Sequence, residues 1–164
     1  MAKSVKASLK ARDYAKAEDV ALQSLVLADA PDVVAMTFEQ HRAVELVRSL
    51  WSGARDGVKS LKPDEEIIFN GKAAKVVRHD ETTLVVSQDN KEVTLLIAKL
   101  VPGLAVQMAE RALPADDATT KLAAGVFLSV DAVGDKEKGR ALITEAGAAG
   151  AEIEKLIAWL DMPE

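Results

Sequence analysis

The stretch from Asp64 to Leu100 constrains the fold most, because it is patterned for β-structure in a chain otherwise patterned for helices. Short runs rich in β-branched residues alternate there with turn residues, an order typical of β-hairpins. Asn70-Gly71 favours a tight hairpin turn, since both of its central positions require a positive φ. Asp80-Glu81-Thr82 and Asp89-Asn90 mark two further turns. We therefore predict a meander of short antiparallel strands over this stretch.

A sheet of this size is barely stable in isolation and needs helices to pack against. We predict an α+β fold, with helical arms on either side of a small antiparallel, barrel-like sheet of four or five strands. In this scheme residues 1–62 form N-terminal helices, residues 63–100 form the small β barrel, and residues 101–164 form a C-terminal helical array.

Two helical segments are predicted before the sheet. Apolar residues at helical intervals predict a helix over residues 3–29. Ala30-Pro31 ends it, because the residue before a proline is pushed out of helical geometry. A longer helix is predicted over residues 33–61, and Gly53 and Gly57 within it would permit a bend or a close helix crossing. Its second half carries a regular apolar seam at Val44, Val47, Trp51, Ala54, Val58 and Leu61.

Three or four helices are predicted after the sheet. The first restarts at Pro102-Gly103, the next is capped by Asp116 or Asp117, and another follows Gly134-Asp135. A last amphipathic helix is predicted over residues 151–160.

The charge distribution disfavours a nucleic-acid surface. The formal net charge is -5, and residues 63–100 carry seven acidic against five basic side chains. Nucleic-acid binders usually present a basic surface, because phosphate neutralisation dominates their affinity. Only the first sixteen residues are basic, and we interpret them as a solvated helix face. They contain Lys3, Lys6, Lys10, Arg12 and Lys16 against Asp13.

Residue types that build common active sites are sparse. The chain has no cysteine, which excludes disulfides, thiolate metal sites and a cysteine nucleophile. His41 and His79 lack the spacing of a metal-binding pair. The acidic groups Asp64-Glu65-Glu66 and Asp116-Asp117 are explained equally well as helix caps or strand entries. Residues 147–150 lack the lysine and the preceding strand of a phosphate loop. We predict no catalytic residue, no cofactor site and no metal site, and no enzymatic activity.

Three parts of the chain resemble known helical and barrel families. The run from Arg12 to Ala17 resembles the turn and second helix of a tetratricopeptide repeat, in which an aromatic residue and a later small residue pack the helices together. The segment around Gly134-Asp135 resembles such a pair in part, with Gly139 at the small position and Lys136 where the aromatic residue is expected. Residues 62–72 resemble the opening strand and turn of Src-homology-three and KOW barrels.

The order of helices, small barrel and helices also resembles uncharacterised modules appended to large multidomain bacterial proteins. This resemblance implies an accessory part of a larger protein and assigns no catalytic residue.

We therefore expect a non-catalytic protein–protein interaction or scaffolding module whose partner is another protein or the rest of a larger chain. Trp51 and Trp159 are the candidate partner-contact residues if they are exposed, because aromatic side chains dominate interface energies. Both lie on helical apolar faces, and packing in the core is the interpretation that the sequence favours for them. The alternative functions are a nucleic-acid-associated small-barrel protein and, more weakly, a small-molecule sensor.

Nothing in the sequence points to a membrane. The N-terminus lacks the apolar core of a signal peptide, and no apolar run approaches membrane-spanning length. We expect a cytoplasmic protein. If the sheet is only a structural insert, reversing the charges of Lys72, Lys75 and Lys91 should leave function intact.

Overall fold

The predicted α+β class is confirmed. The computed structural model describes residues 2–28 and 30–163, with side chains described from Val5 onward. These residues form seven α-helices and one antiparallel sheet of four strands. The helices are α1 Ala2–Lys10, α2 Tyr14–Val26, α3 Pro31–Lys59, α4 Pro102–Ala112, α5 Ala118–Val130, α6 Lys136–Ala148 and α7 Glu154–Asp161. The strands are β1 Glu66–Phe69, β2 Lys72–His79, β3 Thr83–Gln88 and β4 Lys91–Leu96.

The chain divides into two compact units. Residues 1–50 and 116–164 form a helical unit, and residues 51–115 form a sheet unit. Helix α3 contributes its first part to the helical unit and its last turns to the sheet unit. The predicted division at residues 62 and 100 stays a prediction.

Helix α5 forms the centre of the helical unit. Its residues from Leu122 to Leu128 are all buried, so the helix is covered on every side. Its contact with α6 is backbone to backbone, because a Cβ atom built on Gly125 would lie 2.7 Å from the carbonyl oxygen of Gly139. The small residues on both helices therefore permit an approach that larger side chains would block.

The prediction of one continuous helix over residues 3–29 is wrong. The chain breaks between α1 and α2, where Arg12 has a φ of 59°. Asp13 then caps α2, because its carboxylate accepts a hydrogen bond from the backbone N–H of Lys16 at 3.2 Å. The apolar spacing continues through this turn, whereas the resemblance of residues 12–17 to the turn and second helix of a helix pair implied a break there. Residue 29, the predicted helix end, lies outside the described residues.

The predicted meander in the sheet unit is confirmed. The strand order is β1-β2-β3-β4, and each neighbouring pair is antiparallel. Asn70 and Gly71 have φ values of 51° and 75°, as the tight turn requires. The barrel-like closure is not confirmed, because the sheet is open and β1 and β4 are its two edges. Consecutive side chains of β3, from Leu84 to Val86, are buried, so this strand is covered on both faces.

Gly57 allows a close crossing in the sheet unit. A Cβ atom on Gly57 would lie only 1.8 Å from the carbonyl oxygen of Met108 on α4. The sequence predicted that the glycines of α3 permit either a bend or a close helix crossing. The structure shows the close crossing. The helix α3 continues without interruption to Lys59. Edge strand β1 also meets α4, because Ile68 donates its backbone N–H to Oε1 of Gln107 at 3.2 Å.

Candidate interaction surface

Both tryptophans are buried. Trp51 on α3 is 5% exposed, and Trp159 on α7 is 1% exposed. The ammonium group of Lys6 lies 5.2 Å from the centre of the Trp159 ring, within the range of a cation–π contact. Direct contact of either indole with a partner stays a prediction. In this structure a partner could reach the residues around each indole, but little of the ring itself.

The interpretation of the basic N-terminal residues as a solvated face is wrong for Lys6 and Arg12. The ammonium of Lys6 is buried and donates hydrogen bonds to the carbonyl oxygens of Leu160 and Met162, at 3.1 and 2.6 Å. It thereby compensates the negative end of α7. Arg12 donates from Nε to the buried carboxylate of Asp131 at 2.7 Å. The side chain of Lys3 lies outside the described residues, and those of Lys10 and Lys16 are exposed.

The cations of the sheet are partly neutralised, which further weakens the nucleic-acid alternative. Lys72 pairs with Asp89 and Arg78 pairs with Glu92, both at 3.4 Å. Phe69, the aromatic residue of the sheet, is only 7% exposed. A buried ring cannot offer the stacking platform on which single-stranded nucleic acids bind.

Three of the acidic and histidine candidates, Glu65, His79 and Asp117, have structural roles. Nε2 of His79 lies 3.0 Å from the carbonyl oxygen of Leu61, and Asp117 caps α5. The backbone N–H of Lys62 and the guanidinium of Arg111 hold the pKa of Glu65 below its ordinary value. Across residues 2–28 and 30–163, no three His, Asp or Glu side chains are grouped as a metal site requires.

Asp80 is held ionised by its own turn. Its carboxylate accepts hydrogen bonds from the hydroxyl and backbone N–H groups of both Thr82 and Thr83, at 2.7–2.9 Å. The Thr83 hydroxyl is the main cause that lowers the pKa of Asp80 far below its ordinary value. All these bonds are local to the turn between β2 and β3, so the group stabilises the hairpin and forms no reactive centre.

The helical unit exposes apolar side chains on α2 and α3 that were not singled out from the sequence. Leu22 and Val26 lie one turn apart near the end of α2, and Val34 and Phe38 lie one turn apart near the start of α3. Their exposed fractions are 43%, 85%, 40% and 57%, respectively. Leu27 and Val33, on the connection and the first turn of α3, are also exposed. These six residues define the α2–α3 patch.

A groove adjoins this patch within the helical unit. One wall is α3, with Phe38, Glu39 and Arg42, and the other is the segment from Ala151 to Lys155 before and at the start of α7. The cleft has a volume of about 720 Å³. A smaller hollow of about 190 Å³ lies between Ala35 on α3 and Trp159 on α7. We call this region the α3–α7 groove. Phe38 belongs both to it and to the α2–α3 patch.

The groove combines apolar side chains, among them Phe38 and Ile153, with a charged lining that is mainly acidic. Its charged side chains are Asp32, Glu39, Glu152 and Glu154 against Arg42 and Lys155. Glu39 is buried and pairs with Arg42 at 3.3 Å. Outside that pair, the groove is lined by three carboxylates and one ammonium group, so its rim carries a net negative charge.

The sequence contained a signal for this surface. One helical turn separates Leu22 from Val26 on α2, and the same spacing separates Val34 from Phe38 on α3. Neither pair belongs to the buried residues of these helices, such as Ala17, Ala21 and Val44. A second apolar face on a helix indicates a second contact surface. The groove itself could not be predicted, since it is formed by residues more than a hundred positions apart.

Among the helices described for residues 2–28 and 30–163, none has both the length and the apolar character needed to cross a bilayer. Comparisons of the chain with protein-family models, with curated proteins and with solved structures each find no match.

Proposed function

We propose that this chain is a non-catalytic protein-interaction or scaffolding module of a larger protein or assembly, and that it binds through the α2–α3 patch and the α3–α7 groove. The observation that carries the proposal is Phe38, an aromatic side chain 57% exposed at the junction of the two. Several exposed apolar side chains beside a cleft are a usual mark of a protein-binding site.

The energetics support this role. Complete burial of one large apolar side chain contributes about 1.5–3 kcal/mol. Val26, Val34 and Phe38 are each at least 40% exposed in the isolated chain. A partner that covers them would gain several such contributions at once. The sheet exposes two large apolar side chains, Ile68 and Leu96, whereas the α2–α3 patch has six and so offers the larger driving force.

The sheet unit has a structural role in this proposal. In this proposal the sheet is curved like part of a barrel and has helical arms on either side. The helix pairs are proposed to be tetratricopeptide-like. Contact with the partner is assigned to helices, and Trp159 supports the floor of the groove from within.

The test uses variants of the patch. Val34→Ser with Phe38→Ser should abolish binding of a partner that is isolated with the wild-type chain and then reconstituted from purified components. Val133→Ser is the matched control, because Val133 is an exposed apolar residue (74%) in the α5–α6 connection. The proposal fails if every reconstituted partner binds the patch variant as well as it binds the wild type.

A second measurement separates the nucleic-acid alternative. Labelled single-stranded RNA or DNA should show no binding at physiological salt. Binding that weakens steeply with salt would favour the nucleic-acid function, because counterion release makes phosphate contacts salt-dependent.

A further inference from the structure

The groove identifies the class of partner, and this inference rests on the proposed function. We propose that the α3–α7 groove receives a cationic amphipathic helix from another protein, with its apolar stripe against Phe38 and its basic side chains against the acidic rim.

The geometry of the walls favours a helix. The residues of α3 that line the groove run from Asp32 to Arg42, a length of about 15 Å or nearly three helical turns. They are Asp32, Ala35, Met36, Phe38, Glu39 and Arg42, which share one side of the helix. Such a face accommodates the i, i+3, i+4, i+7 stripe of a partner helix.

An extended peptide fits less well. The backbone N–H and C=O groups of α3 are used within that helix, so few remain along this wall to pair with a strand. On the α3 side a strand would leave backbone groups of its own without partners, whereas a helix satisfies its own.

The charge of the rim selects the sign of the partner. Outside the Glu39–Arg42 pair, Asp32, Glu152 and Glu154 face the single cation Lys155. Basic residues flanking the apolar stripe of a partner would therefore meet complementary charge. A second copy of this chain would place the same acidic rim against itself in a symmetric contact, which charge repulsion disfavours.

The test uses two defined synthetic probes. One is a helical peptide of about eighteen residues made of leucine and lysine in an amphipathic pattern, and the other has every lysine replaced by glutamate. Fluorescence anisotropy with the full chain should show binding of the lysine peptide and at least tenfold weaker binding of the glutamate peptide.

Variants assign the binding to the groove. Glu152→Lys with Glu154→Lys should weaken binding of the lysine peptide at least tenfold, and Phe38→Ala at least fivefold. Glu110→Lys with Glu137→Lys is the matched control, because it makes the same charge change at two exposed positions outside the groove. Circular dichroism confirms that each variant is folded.

The outcomes separate the two proposals. Equal binding of both peptides, or equal effects of the groove and control charge reversals, would overturn the cationic helix, as would binding of neither peptide. A dimer in analytical ultracentrifugation that Phe38→Ala dissociates would also overturn it, in favour of a second copy. In each of these cases the proposed function is judged separately, by the Val34→Ser and Phe38→Ser variant with a reconstituted partner.

Discussion

At the scale of single residues, the ion pair of Arg12 and Asp131 is the contact with the greatest expected effect on stability. The side chains are 17% and 2% exposed, and the Arg12 guanidinium also lies 5.7 Å from the ring centre of Phe127. Arg12→Met keeps most of the apolar stem but leaves the carboxylate of Asp131 without its cation. We expect a loss of about 3 kcal/mol in the free energy of unfolding, measured by urea denaturation.

Lys121→Met is the control for that measurement. Lys121 pairs with Glu145, whose side chain is 56% exposed, and an exposed pair contributes at most about 1 kcal/mol. Equal losses in the two variants would show that burial of the Arg12–Asp131 pair has no special importance.

The turn residue Asp80 gives a pH-dependent prediction. Its pKa is lowered in the folded chain, chiefly by the Thr83 hydroxyl, so the stabilisation it contributes is present above its ordinary pKa and is lost as the pH falls below that value. Thr83→Val removes the hydroxyl but keeps the backbone N–H and a β-branched shape. NMR titration of the Asp80 carboxyl should show a pKa that rises toward the ordinary value in this variant. An unchanged titration would contradict the assigned cause.

Some residue-scale features could be predicted from the sequence and others could not. The capping position of Asp117 and the positive φ values of Asn70-Gly71 follow from local chemistry, because their partners lie within a few residues. The inward positions of Lys6 and Arg12 depend on Leu160 and Asp131, more than a hundred residues away. The pattern of charges along residues 1–16 carries no information about contacts with residues so distant in sequence. Lys6 and Arg12 were therefore both interpreted as solvated.

At the scale of elements, close helix crossings depend on glycine. Gly57→Ala would place a Cβ 1.8 Å from a backbone oxygen, and Gly139→Ala would place one 2.8 Å from the oxygen of Gly125. We expect losses of about 3 and about 2 kcal/mol in unfolding free energy, since backbone atoms cannot move aside cheaply. Gly103→Ala meets nothing within 4 Å and should be neutral or stabilising by up to about 1 kcal/mol. Similar results at all three positions would refute the role of close approach.

The sheet gives a second element-scale prediction. Reversing Lys72, Lys75 and Lys91 to glutamate should leave partner binding unchanged, because the contact surface is assigned to helices. Loss of the Lys72–Asp89 pair should have little effect on stability, since both side chains are about 70% exposed. A tenfold loss of partner affinity in a folded triple variant would show that the sheet, and not the helices, contacts the partner.

The elements themselves were largely predictable, whereas their assembly was not. The turns at Asn70-Gly71 and Asp89-Asn90 divide the strands within a residue or two of their observed ends, because tight turns need particular residue types. The start of α6 after Asp135 was likewise predicted, from the Gly134-Asp135 turn. Barrel closure was not, since it depends on whether the edge strands meet and not on any local pattern.

At the scale of the whole molecule, the function is assigned to surface that the chain leaves uncovered. The sequence directed attention to the two tryptophans, because aromatic residues are common interface anchors. Both are buried, and the exposed aromatic is Phe38. Burial is decided by residues distant in sequence, so the patterns around Trp159 and Phe38 could not separate the supporting side chain from the accessible one.

The most direct test is the affinity of a reconstituted protein partner for the wild-type chain, for Phe38→Ala and for the control Val133→Ala, measured by isothermal titration calorimetry. If the α2–α3 patch and the α3–α7 groove form the binding surface, Phe38→Ala should raise Kd by about tenfold or more, because a truncated hot-spot side chain costs upwards of 1 kcal/mol. Val133→Ala should leave Kd unchanged. Equal Kd values for all three proteins, with each variant folded, would contradict the central claim.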